Sequence, residues 1–155
     1  MRKYKPYIIS ILIALAVGGL SAYITKDYMN IYDDIVKPPL APPGFVFPIV
    51  WTILYTLMGI SSAMVYTKCK ETDCNDTWGV IYILQLVVNF FWSIIFFRMR
   101  SFLFAFIWLL ILIGLVIWMI IEFNKVSKTA AYLQIPYLIW ILFAAFLNFM
   151  TFILN

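Results

Sequence analysis

Apolar residues run along this chain in five blocks, at 7–25, 45–67, 78–97, 102–121 and 131–154. Each is near the roughly 20 residues that a helix needs to cross a bilayer. None contains a charged side chain, so the pattern predicts five membrane-spanning helices. The third and fourth blocks form one long apolar run, broken by Arg98 and Arg100. As a single helix rising about 1.5 Å per residue, it would be roughly twice as long as the bilayer is thick. An arginine at its middle would cost at least a few kcal/mol. Arg98-Met99-Arg100-Ser101 is therefore expected as a tight turn at the membrane surface, with antiparallel spans on either side. The first block follows Arg2, Lys3 and Lys5 but is long and lacks a small-x-small cleavage site before a soluble part, so it is expected to remain as a span. The whole of 1–155 is expected to be one transmembrane domain, an all-α bundle.

Lipid tails do not drive helices together as water does, so small and polar residues mark where helices meet. Side chains three and four apart share a helix face. The first span has Ser10, Ala14, Gly18 and Ala22 on such a face, and the second has Trp51, Tyr55, Gly59, Ser62 and Tyr66. The third has Gln85, Asn89 and Ser93 with Trp92 beside them, and the fifth has Tyr137, Trp140, Ala144, Asn148 and Thr151. The fourth span carries almost nothing polar, only Gly114 and the indoles Trp108 and Trp118, and is expected at the lipid-facing periphery. The other four would then enclose either a cavity lined by amides and aromatic rings, or a core in which those groups only bond neighbouring helices.

Composition narrows the function. The chain is 65% hydrophobic and 12% charged, against roughly half and a quarter in a soluble domain. Its net charge is +4, but the basic residues sit in separate loops and make no track for a phosphate backbone, so no nucleic acid is expected. With no histidine and two cysteines, the usual zinc sites and His-based triads are missing, and neither metal nor resident cofactor is expected. No ionisable residue lies in any span, which leaves coupled transport without its usual groups. Arg2, Lys3, Lys5, Lys68, Lys70, Lys125 and Lys128 share the N-terminal side, against Lys26, Lys37, Arg98 and Arg100 opposite. That bias predicts the N-terminus inside. Cys69 and Cys74 would then lie in a cytoplasmic loop and stay unpaired, whereas the inverted topology would allow a disulfide between them.

The first loop, 26–44, contains Tyr32 and then Lys37-Pro38-Pro39-Leu40-Ala41-Pro42-Pro43-Gly44. Four prolines fix φ, and each disfavours helix in the residue before it. The loop is thus stiff: a candidate lid, or a rigid connector. Pro136, early in the fifth span, is expected to kink it near Tyr137 and Trp140.

In these pieces the chain resembles the translocator protein family, also called the tryptophan-rich sensory protein or TspO/MBR family. Gly18-Gly19 lie in the first span. Tyr32 and Lys37-Pro38-Pro39 to Pro42-Pro43 are similar to the family's loop. Val46-Phe47, Val50-Trp51, Leu54-Tyr55 and Met58-Gly59 follow its second-span run. Gln85-Leu86, Asn89, Trp92-Ser93 and Phe96-Phe97 follow its third. Pro136-Tyr137-Leu138, Trp140, Phe143-Ala144 and Leu147-Asn148 follow its fifth.

The resemblance implies a five-helix membrane bundle, often a homodimer, with a pocket beneath the first loop. The family's ligands are porphyrins such as protoporphyrin IX and, in some members, sterols and benzodiazepine-type drugs. Matched by motif, Trp51, Asn89, Trp92, Tyr137, Trp140 and Ala144 fall at pocket positions; the stripes and the loop add Tyr32, Pro42, Tyr55 and Asn148. Some bacterial members degrade protoporphyrin oxidatively in light, a role that would fall to Trp51 and Trp140, and a bacterial-type member implies a bacterial cell membrane. Leu40 stands where the family has a loop tryptophan and Ile31 where it has an aromatic, and no basic residue follows Tyr137 to complete the proposed cholesterol motif. The expected function is porphyrin binding in the membrane. A porphyrin or lipid carrier and a structural scaffold are the competing readings.

Overall fold

A computed structural model describes residues 4–28, 30 and 34–155. Five helices in it are long and apolar enough to cross a membrane: Lys5–Tyr28, Val46–Thr72, Thr77–Arg98, Phe102–Val126 and Lys128–Leu154. Their regular parts are α1 (Lys5–Thr25), α2 (Val46–Thr72), α3 (Thr77–Ser93), α4 (Phe102–Val126), α5 (Lys128–Leu133) and α6 (Ile135–Leu154). No strand occurs among the described residues. Around the bundle the spans run α1, α2, α5–α6, α4, α3, and α3 closes the ring against α1.

Local chemistry sets the ends. Pro6 sits in the first turn of α1, where its missing N–H costs nothing. Ser127 caps α5 by accepting a bond from the Ala130 N–H at 3.3 Å. The fifth span breaks between α5 and α6 at Gln134, two residues before Pro136, which cannot donate to the preceding turn. The Arg98–Ser101 turn forms as expected, with Arg100 in the left-handed region at φ 53°.

Glycines on both helices let α1 and α2 meet closely. A Cβ on Gly59 would lie 2.5 Å from the Ile11 Cα, and one on Gly18 would lie 2.5 Å from the Tyr55 ring. The Ser10 and Ser62 hydroxyls bond across the same seam. Further round, the Ser61 hydroxyl donates to the Ala130 carbonyl at 2.7 Å and ties α2 to α5.

Two expectations are corrected. The fourth span lines neither the cavity beneath the first loop nor the one between α1 and α3, but it is not purely lipid-facing. Ala105, Leu109, Leu112, Val116, Met119 and Phe123 of α4 are buried, spaced by four and three residues, and the Trp108 indole donates to the Val88 carbonyl of α3 at 2.7 Å. On α1 only Ala14, Ser21 and Thr25 are buried. In lipid, a helix apolar all round gains as much inside the bundle as outside, so uniform hydropathy does not mark the lipid-facing element. The cysteines are also joined rather than free. α2 runs to Thr72, the left-handed Asp73 (φ 54°) turns the chain back, and the Cys69 and Cys74 Cα atoms come to 5.1 Å. That separation is ordinary for a disulfide. Because thiols stay reduced in the cytoplasm, the pair counts against placing this loop, and with it the N-terminus, on the cytoplasmic side.

Candidate functional site

At the end of the bundle where α1 stops and α2 begins, the proline-rich loop closes over a chamber of ≈ 90 Å³. Ile35, Pro38 and Ala41 form its roof, and Phe47 and Trp51 of α2 one wall. Trp92 and Ser93 end α3 on the opposite side, followed by Phe96 and Phe97. Ala144, Leu147, Asn148 and Thr151 of α6 complete the lining.

The wall at Phe96 and Phe97 depends on a break in helical register. Ile94–Arg98 forms a π-helical turn, with the Met99 N–H donating to the Ile94 carbonyl at 3.0 Å. Such turns add a residue to the helix and shift the facing of the side chains beyond it, and they favour functional sites. Trp92 stacks on Phe96 with ring centroids 5.2 Å apart. Its indole donates to Asn148 Oδ1 at 3.1 Å, while Asn148 Nδ2 donates to the Phe102 carbonyl at 2.8 Å. Asn148 therefore spends its amide on fixing Trp92 and on joining α6 to the start of α4.

Beneath the chamber lies a buried polar seam. Trp51 contacts Tyr55 at 5.6 Å and Tyr137 at 6.2 Å between ring centroids. Asn89 Nδ2 donates to the Tyr55 hydroxyl at 3.1 Å, and the Tyr137 hydroxyl donates to Gln85 Oε1 at 2.8 Å. These amides join α3 to α2 and α6, the helix-bonding alternative that the stripes left open.

The residues expected from the sequence thus separate into groups. Trp51, Trp92, Ala144 and Asn148 line the chamber together. Tyr55, Asn89 and Tyr137 are buried in the seam under it. Trp140 stands behind Phe47, ring to ring at 5.8 Å, with its indole N–H buried and unpartnered among the described residues. Pro42 lies in the roof loop, but Pro38 and Ala41 supply the lining. Tyr32 lies outside the described residues. The sequence reading missed Phe47, Phe96 and Phe97 as lining. All three stood in the recognisable runs, but nothing in the spacing announced the π-helical turn that aims the last two.

The roof is held from the other end of the chain. Asn155 pairs with Val36 as a strand would: the Val36 N–H donates to Asn155 Oδ1 at 3.1 Å, and Asn155 Nδ2 donates to the Val36 carbonyl at 3.1 Å. Leu40, at the tip, sits at φ 72° and is 79% exposed, a backbone state that costs a non-glycine residue about 1–2 kcal/mol. The chamber lining contains no ionisable side chain. Among the described residues no cluster of metal-ligating side chains occurs. Such a slot can hold a flat apolar ligand by dispersion and ring stacking; its hydroxyls, on Ser93 and Thr151, have no ionisable side chain in the lining to act as their base.

Residues 10–154 match the model of the TspO/MBR family. The chain is 38% identical to the "Tryptophan-rich protein TspO" of Chlorobaculum tepidum, over 92% of this chain and 91% of that one. It is 36% identical to the protein of the same name from Archaeoglobus fulgidus, over 94% of each. The "Translocator protein" of Ovis aries is 34% identical, over 85% of this chain and 80% of its own.

Proposed function

The chain belongs to the TspO/MBR family, and from that premise we propose that it is a membrane receptor for porphyrins such as protoporphyrin IX and similar flat apolar ligands, bound beneath the first loop. The observation that carries this reading is the chamber itself: a slot between Trp51 and Trp92, walled by phenylalanines and roofed by a stiff loop. An aromatic face against a macrocycle is worth about 0.5–1.5 kcal/mol beyond area burial. The absence of any charge in the lining suits a ligand whose carboxylates stay at the membrane surface.

The closed chamber is small. Sites for drug-sized ligands occupy roughly 300–1,000 Å³, several times the ≈ 90 Å³ found here. Porphyrin binding therefore requires the loop to lift and Phe47 to turn aside. Turning Phe47 would also bring Trp140 and its unpartnered indole N–H to the ligand. The homodimer that the family resemblance implies belongs to the same proposal.

The test is a titration of the purified protein with protoporphyrin IX in the dark, read by quenching of tryptophan fluorescence. The expected result is saturation at micromolar ligand, with Trp51→Phe and Trp92→Phe both changing the curve. Quenching that rises without saturating, or that ignores both substitutions, would mean partitioning into detergent and would overturn the proposal.

A further inference from the structure

A second cavity, of ≈ 670 Å³, opens at the opposite end of the bundle between α1, α2 and α3. It shares no lining residue with the chamber under the loop. Lys5, at the start of α1, and Lys70, near the end of α2, stand at its rim with Tyr66 and Trp78. From Lys5 to Ile13, and from Lys70 to Ser62, the lining continues for eight residues along each helix, a depth of roughly 12 Å at about 1.5 Å per residue.

Three features identify its occupant. The two ammonium groups come from different helices, and among the described residues neither has a carboxylate partner. Of the acidic side chains of the same membrane face, Glu71, Asp73, Asp76 and Glu122, none is in the lining, and Glu122 pairs with Lys125 at 3.0 Å. Below the rim the walls are mainly apolar, the Ser10 and Ser62 hydroxyls bonding each other and Tyr82 adding a third hydroxyl, and Ile9, Ile13 and Ile83 are 46%, 53% and 61% exposed, so the cavity opens sideways into the hydrocarbon between α1 and α3. A site positive at the surface, apolar below and open to the bilayer fits a molecule that is anionic at one end, apolar at the other, and arrives from the membrane. Basic pockets between membrane helices hold anionic lipid headgroups in this way.

We infer that this cavity is a binding site for an anionic phospholipid of the surrounding bilayer, its phosphate held by Lys5 and Lys70 and one acyl chain lying along Ile9, Ile13 and Ile83. The lipid would fill the seam where α1, the most exposed span, meets α3. This reading is independent of what binds under the loop.

The experiment uses the full chain in bilayers doped with lipids brominated on their acyl chains, which quench a tryptophan they touch. At equal mole fraction, brominated phosphatidylglycerol should quench more than brominated phosphatidylcholine, and Trp78→Phe should remove the excess. Each lysine near the surface contributes about a fivefold preference for anionic lipid, so Lys5→Gln/Lys70→Gln should weaken the phosphatidylglycerol preference by about 25-fold. Both positions are exposed, and unchanged helicity by circular dichroism checks that this variant folds. Glycerol 3-phosphate in the buffer should not remove the excess. Equal quenching by the two lipids, or an unchanged preference in the double variant, overturns the inference. Loss of the excess on adding glycerol 3-phosphate would reassign the cavity to a soluble anion, and its loss on adding protoporphyrin IX would reassign it to the porphyrin.

Discussion

Asn155→Ala should speed porphyrin entry. Asn155 exchanges two hydrogen bonds with the Val36 backbone, each 3.1 Å long, and so ties the roof to the end of α6. Both are exposed to solvent, where water competes, so each is worth about 0.5 kcal/mol, the low end of the usual range. Losing both makes lid opening about 1 kcal/mol easier, which raises the open population about fivefold. Because the closed chamber of ≈ 90 Å³ cannot admit a macrocycle, association waits on that population and should accelerate by the same factor. Asn155→Asp keeps the acceptor for the Val36 N–H and loses the donor, so it should lie midway, at about twofold. The assay is stopped-flow quenching of tryptophan fluorescence in the dark, at protoporphyrin concentrations in the linear regime. Association rates equal to the parent protein in both variants would refute lid gating, whatever the equilibrium affinity.

The same geometry sets four other outcomes. Gly59→Ala places a methyl group against the Ile11 backbone and should destabilise the bundle by about 1–3 kcal/mol, whereas Gly19→Ala, with nothing within 4 Å, should be neutral; equal melting temperatures in detergent for the two variants would contradict the α1–α2 seam. Asn148→Leu leaves the Trp92 indole and the Phe102 carbonyl without the partners they now have, a loss of about 1–3 kcal/mol, and it should raise the solvent or lipid accessibility of Trp92; stability and tryptophan emission both unchanged would show that Asn148 does not position the ring. Cys69 and Cys74 should resist maleimide until a reductant is added, and labelling of the untreated protein would contradict the pairing. Irradiation of bound protoporphyrin in air should lose rate with both Trp51→Phe and Trp140→Phe, because Trp51 lines the chamber and the turn of Phe47 that admits the macrocycle uncovers Trp140; an unchanged rate in both variants would place the macrocycle elsewhere.

Much of this architecture is legible in the residues. Charge-free blocks of bilayer length define the spans, and two arginines in an apolar run leave only a turn between α3 and α4. Small residues at spacing four on α1 announce a close neighbour, which is α2. What escapes the sequence has a physical reason in each case. The burial of α4 is invisible because its inner and outer faces are equally apolar and differ only in fit. The π-helical turn at Ile94–Arg98 obeys no spacing rule, yet it decides that Phe96 and Phe97 reach the chamber. Asn89, Asn148 and Gln85 stand on inward-facing stripes, but a stripe does not say whether an amide meets a ligand or another helix; here each bonds another helix, and Gln85 Nε2 stays buried without a partner among the described residues. The Cys69–Cys74 pair depends on how far α2 extends and on the left-handed turn at Asp73, neither of which hydropathy reports.

The central claim is that a porphyrin occupies the slot beneath the first loop. The structure of the complex with protoporphyrin IX tests it most directly. The account predicts the macrocycle between Trp51 and Trp92, with Phe47 rotated away and the Asn155–Val36 pair opened. A macrocycle in the cavity between α1 and α3, or on the outer face of the bundle with the roof still closed, would contradict it.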